Sequence, residues 1–133
     1  MKTGKPTLQK ILLASREVVY SHLKRHGFKR PNPRTINIGW CGVFADSAVI
    51  KINSEMANKA KAVWLHHLIE KWPTPNASHC VVHYRGKYYD SECLHGVTNI
   101  IEIPYIKRRP WAMKLIKESK SNEAQLRNRR KSL

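Results

Sequence analysis

Ser78-His79-Cys80-Val81-Val82-His83-Tyr84-Arg85-Gly86-Lys87-Tyr88-Tyr89-Asp90-Ser91-Glu92 carries the strongest strand signal in the chain. β-branched and aromatic residues run up to Arg85-Gly86 and resume after it, the pattern of a tight hairpin. Strand alternation places His79, Val81 and His83 on one face and Cys80, Val82 and Tyr84 on the other. A two-residue turn at Arg85-Gly86 pairs Tyr84 with Lys87, Val81 with Asp90 and His79 with Glu92. Both acids then lie on the histidine face, Glu92 directly opposite His79 and Asp90 on its diagonal, each within reach of an imidazole. A three-residue turn would send both acids to the far face. Turn length therefore decides whether His79 can meet a carboxylate.

Upstream of the hairpin stands Ile36-Asn37-Ile38-Gly39-Trp40-Cys41-Gly42-Val43-Phe44-Ala45. The pattern predicts a turn at Gly39 and a helix from Cys41 to about residue 50. A thiol at a helix N-terminus faces unpaired N–H groups and the positive end of the dipole, which favour the thiolate. Gly39 and Gly42 leave room for a substrate backbone. The same amides can hold an oxyanion, with Asn37 as a candidate side-chain donor. Thiolate, imidazole and carboxylate belong together chemically. The imidazole takes the thiol proton and returns it to a leaving group, and the carboxylate fixes the ring's tautomer.

The remaining elements surround this pair of segments. Leu8, Ile11, Leu12, Val19 and Leu23 recur at helical spacing and predict a helix over 6–26, with Gly27 past its end and Lys10, Arg16, Lys24 and Arg25 on the solvent face. Pro31 and Pro33 predict a loop over 28–35. Residues 54–71 fit either a second helix or a short helix followed by a strand through Ala62-Val63-Trp64-Leu65. Residues 72–76 read as a loop. Ile100-Ile101-Glu102-Ile103 predicts a third strand, ended by Pro104. The chain becomes helical and then highly charged from Pro110. We expect an α+β fold, with residues 1–106 as one domain and 107–133 as a basic helical extension.

Composition bounds the function. The 133 residues suit one domain, and 41% hydrophobic with 26% charged residues is the make-up of a globular protein. No apolar run reaches the roughly 20 residues of a membrane span. The basic, amphipathic start lacks an apolar signal core, and three cysteines are an odd number for a disulfide framework, so a reducing cytoplasmic setting is expected. The formal net charge is +16. Residues 107–133 hold ten Lys/Arg against two Glu, and the first 34 hold nine Lys/Arg against one acid. Lys107, Arg108, Arg109, Arg127, Arg129, Arg130 and Lys131 are the candidate contacts to nucleic acid or another polyanion.

Gly39 to Ala45 (Gly-x-Cys-x-x-Phe-Ala), Ser-His-Cys-Val-Val at 78–82, Gly-Lys-Tyr-Tyr-Asp-Ser at 86–91 and His-Gly-Val at 95–97 together resemble the papain-like superfamily in its broad sense, including transglutaminase-like and NlpC/P60-like enzymes. The resemblance covers roughly residues 36–104 and extends to small phage-encoded members. It implies a cysteine-bearing helix packed on a small antiparallel sheet, with Cys41 as nucleophile, His79 as base and Asp90 as orienting acid; Glu92 is the alternative acid. The implied activity is attack on an amide of a protein or peptide through a thioester, resolved by water (peptidase, amidase, deamidase) or by an amine (transglutaminase-like). For a phage-encoded member the compartment would be the host cytoplasm. Trp40 precedes the cysteine, whereas the papain pattern has Trp after it. The rival reading is a non-catalytic basic nucleic-acid-binding protein, although no helix-turn-helix, RNP or zinc-finger pattern is present. No metal or cofactor is expected: there is no Cys-x-x-Cys pair, and the H-x3-H spacing of His79 and His83 separates the rings on a strand.

Overall fold

A computed structural model describes residues 7–73 and 78–119. The fold is α+β, built on a four-stranded antiparallel sheet of order β1-β2-β3-β4. In chain order the elements are α1 (Leu8–Arg25), α2 (Pro33–Asn37), α3 (Cys41–Glu55), β1 (Lys61–Trp64), α4 (Leu65–Leu68), β2 (Cys80–Tyr84), β3 (Lys87–Asp90), β4 (Cys93–Val97), a 3-10 turn (Ile100–Glu102) and α5 (Pro104–Lys107). A further helical stretch, α6, occupies residues 110–119.

α1 starts where Thr7 Oγ1 accepts the Lys10 N–H at 3.3 Å, which satisfies one of the amides a helix start leaves open. It buries Ile11, Leu12, Ser15, Val19 and Leu23. α3 buries Cys41, Phe44, Ala45, Ala48 and Ile52, and the small Ala45 and Ala48 let it approach its neighbours closely. The two helices cover the sheet face that carries Cys80, Val82, Tyr84 and Tyr89. The opposite face, carrying Val81, is filled by Leu65, Ile69, Ile100, Ile103, Ile106 and residues of α6. Each strand alternation thus serves two cores, which explains why β2 is buried at four of its five positions.

The hairpin has the two-residue turn. Tyr84 pairs with Lys87, His83 with Tyr88 and Val82 with Tyr89. Arg85 and Gly86 have φ of 49° and 79°, the left-handed pair that matches the twist of a hairpin. Parity therefore keeps Asp90 on the His79 face.

Three expectations are corrected. Residues 28–35 are not all loop, because Pro33 opens α2: Asn32 caps it by accepting the Thr35 N–H at 3.0 Å, and a proline is harmless at a helix's first position, where its missing N–H is not needed. Residues 54–71 hold the strand of the second alternative, as β1 at Lys61–Trp64, but the short helix α4 follows the strand instead of preceding it, and α3 runs on to Glu55. Ile100–Ile103 is not a strand. Asn99 Oδ1 accepts the Ile101 N–H at 3.2 Å and starts a 3-10 turn, whose Ile100 and Ile103 plug the second core; the fourth strand is Cys93–Val97 instead. Beyond residue 106, Ala112 and Ile116 of α6 are buried in the second core. No helix among the described residues is long and apolar enough to cross a membrane.

Candidate active site

Cys41 is the first residue of α3, and Trp40 before it supplies no side-chain cap. The first amides of the helix thus keep no side-chain acceptor from the capping position. The Cys41 thiol is almost fully buried. Its Sγ accepts the Cys80 N–H at 3.4 Å. Burial alone pushes this thiol up. The His79 imidazole beside it and the Cys80 and Gly42 amides outweigh this and pull it down, so it lies below the ordinary thiol range.

His79 precedes β2 and extends its pairing with β1: the His79 carbonyl accepts the Leu65 N–H at 2.9 Å. Its ring is completely buried, as is Asp90, and Nε2 lies 2.8 Å from Asp90 Oδ2. With Nε2–H donating to that carboxylate, the neutral ring keeps its lone pair on Nδ1. Nδ1 makes no hydrogen bond in this state. Burial pushes the imidazole down, but Asp90 and the Cys41 sulfur pull it up, and the net shift is upward. Thiol and imidazole are thus displaced toward each other, which favours a thiolate–imidazolium pair.

The carboxylate is held in turn. Asp90 Oδ1 accepts the Glu92 N–H at 2.9 Å. Asn37 Nδ2 lies 3.4 Å from Asp90 Oδ2 and 3.0 Å from Glu92 Oε1. Ser91 Oγ sits 2.8 Å from the Pro33 carbonyl and 2.9 Å from Asn37 Oδ1. These bonds tie α2 to the end of β3 and fix the side of the amide that faces the acids.

Asn37 is therefore not placed as an oxyanion donor. Its amide hydrogens are committed to two carboxylates, which makes it a positioning residue for Asp90. Glu92 does not reach His79 either. The chain turns at Ser91-Glu92 after β3 ends, so the strand geometry that would set Glu92 opposite His79 is gone. Its carboxylate is forked by Arg108, with NH1 to Oε2 at 2.8 Å and NH2 to Oε1 at 2.7 Å. Burial raises Glu92, but the Arg108 and Asn37 bonds outweigh it and hold the carboxyl below its usual range.

Tyr105 lies flat on the His79 ring, with centroids 4.0 Å apart and planes 11° apart. The Arg109 guanidinium covers Tyr105, 3.6 Å from the ring centroid. Beside the thiol opens a cavity of about 270 Å³, lined by residues that include Gly39, Cys41, Trp64, Ser78, Tyr105 and Arg109. Gly42 is required for one wall: a Cβ there would come within 2.8 Å of Trp64 Cζ2. The sequence offers no signal for Tyr105 or Trp64, because a stack and a wall are made by packing between distant segments.

Of the other sequence-predicted residues, Lys107 is exposed, and Arg108 and Arg109 are engaged as described. Arg127, Arg129, Arg130 and Lys131 lie outside the described residues. Among the described residues, no group of three His, Cys, Asp or Glu side chains is gathered closely enough to hold a metal ion. No protein-family model, curated protein or solved structure matches the chain.

Proposed function

We propose that the protein is a cysteine hydrolase or acyltransferase of papain-like or transglutaminase-like type, acting on an amide bond through Cys41, His79 and Asp90. The observation that carries the reading is the buried 2.8 Å bond between His79 Nε2 and Asp90, made by a ring that also draws the Cys41 thiol below its ordinary range at a helix start. A structural cysteine in an apolar core has no need of a charged partner. A buried carboxylate–imidazole pair beside it costs desolvation that a purely structural role does not return.

In this reading His79 Nδ1 holds the thiol proton and the Cys41 thiolate attacks the carbonyl carbon. The oxyanion is met by N–H groups at the start of α3. His79 then gives its proton to the departing amine, leaving a thioester on Cys41. Water deprotonated by His79 releases an acid, or an amine releases a new amide. Asp90 holds the ring's tautomer throughout and stabilises the imidazolium. The wild-type protein, given an activated ester such as p-nitrophenyl acetate, is expected to gain an acetyl group at Cys41 detectable by intact mass. Turnover that persists in a well-folded Cys41→Ala variant sinks the mechanism. A reduced thiol of this kind fits a cytoplasmic setting.

The formal net charge of +16 supports a second reading, in which the protein binds nucleic acid or another polyanion without catalysis. Such binding would weaken steeply with salt through counterion release. The two readings are compatible, since basic segments can localise an enzyme.

A further inference from the structure

Two neighbouring arginines are treated differently by the fold. Arg108 is forked to Glu92, its bonds 2.7 and 2.8 Å long. Arg109, the next residue, has no carboxylate partner among the described residues. It is nevertheless held still. Its guanidinium lies 3.6 Å above the Tyr105 centroid, and its NH1 donates to the Tyr105 carbonyl at 3.0 Å. A guanidinium has five N–H donors in a planar fork, so most of this one's capacity is not spent on those contacts.

Arg109 lines the cavity beside the Cys41 thiol, and of the described residues lining it, Arg109 alone is a cation. The cavity's volume of about 270 Å³ suits a side chain or a chain end rather than a folded surface. An ordered guanidinium fork matches a carboxylate in two parallel hydrogen bonds. The fork is stacked on the same tyrosine that stacks on His79, so a carboxylate bound there would sit at a fixed offset from the reacting thiol.

We infer that the substrate carries a carboxylate beside the bond attacked, and that Arg109 binds it. This inference rests on the proposed role of Cys41. The carboxylate has two sources, an acidic side chain of a peptide or a peptide's C-terminus.

The test compares Cys41 alkylation by iodoacetate, which is anionic, with alkylation by iodoacetamide, which is neutral; in both the thiolate displaces iodide. The readout is the ratio of the two rates within each variant, which cancels changes in the thiol itself. A protonated His79 also attracts the anion, so the wild-type ratio alone decides nothing. In Arg109→Gln the ratio is expected to fall about ten-fold or more, the size of a hydrogen bond to a charged group. In Lys107→Gln, which removes one exposed charge two residues away, it is expected to hold. An equal fall in both variants reports the general field and overturns the proposal, as does an unchanged ratio in Arg109→Gln. A Cys41 that reacts with neither reagent fails the catalytic reading itself, and the inference with it. Protection of Cys41 from iodoacetamide identifies the source. N-acetylglutamic acid α-amide protecting better than N-acetylglutamine amide points to an acidic side chain, and N-acetylglycine protecting points to a C-terminus. Protection by none of these, or by the neutral amide equally, overturns the assignment.

Discussion

Asp90→Asn changes one atom of a buried carboxylate and leaves its volume intact. The wild-type carboxylate takes the His79 Nε2–H at 2.8 Å and the Glu92 N–H at 2.9 Å. An asparagine can keep the second bond through its carbonyl oxygen. Toward the ring it then presents an NH2 group, which faces Nε2 only if the proton moves to Nδ1. Nδ1 is the nitrogen needed to accept the thiol proton. The imidazolium also loses a charge-assisted bond, worth roughly 1.5–3 kcal/mol. At about 1.36 kcal/mol per factor of ten, that lowers His79 and gives a ten- to hundred-fold fall in the thiolate–imidazolium population. The assay is the second-order rate of Cys41 alkylation by iodoacetamide at pH 7, with circular dichroism to confirm folding. The expected loss is about ten- to a hundred-fold. Glu92→Gln, which breaks the Arg108 fork but leaves the His79 bond, should cost less than about three-fold by the same physical reasoning. A folded Asp90→Asn protein that alkylates at the wild-type rate would refute the account of His79, and a larger effect from Glu92→Gln would transfer the role to Glu92.

Two further outcomes follow from the same geometry. Gly42→Ala should gain a little helix propensity but drive a methyl to 2.8 Å from Trp64, where overpacking costs about 1–3 kcal/mol; denaturant titration should show net destabilisation, and a variant more stable than wild type would mean that Trp64 yields freely. For Glu92 the folded pKa is lowered, so its contribution is present above the unfolded pKa and is lost as pH falls through the folded one. Arg108→Gln should therefore cost about 0.5–1 kcal/mol near pH 7 and progressively less as the pH drops below 4, whereas a pH-independent cost would show that the pair acts through packing instead.

The sequence carried the parts of this architecture that repeat or alternate. The spacing of Ile11, Leu12, Val19 and Leu23 is local information, and so is the Arg85-Gly86 turn whose two residues set the parity of Asp90 against His79. The choice between Asp90 and Glu92 is not local. It depends on where β3 stops and on Arg108, sixteen residues further on, taking the Glu92 carboxylate. Asn37 reads as an oxyanion donor because it stands four residues before the cysteine, yet α2 turns its amide toward the acids. That short helix is invisible to a reading in which prolines only break structure. β4 is hidden for another reason. Leu94, His95 and Gly96 lack strand alternation, and Gly96 is needed because the Tyr89 ring lies where its side chain would be. The isoleucines at 100–103 look like a strand but serve a capped turn, since an apolar run reports burial before it reports secondary structure.

The central claim is that Cys41 and His79 form one ionisable pair, and the pH dependence of alkylation at each cysteine tests it most directly, read by peptide mass spectrometry in wild type and His79→Ala. An ordinary thiol titrates near about 8.5. Cys80, pushed up to about 12 by burial and by the neighbouring Cys41 and Asp46 charges, should have a thiolate fraction of about 10⁻⁵ at pH 7 and be nearly inert. Burial also raises Cys93. The account predicts that Cys41 alone reacts well below the ordinary thiol range, and that its titration moves upward in His79→Ala while Cys93 does not change and Cys80, relieved of the Cys41 charge, shifts downward if it shifts at all. A Cys41 that is inert, or that titrates alike with and without His79, would contradict it.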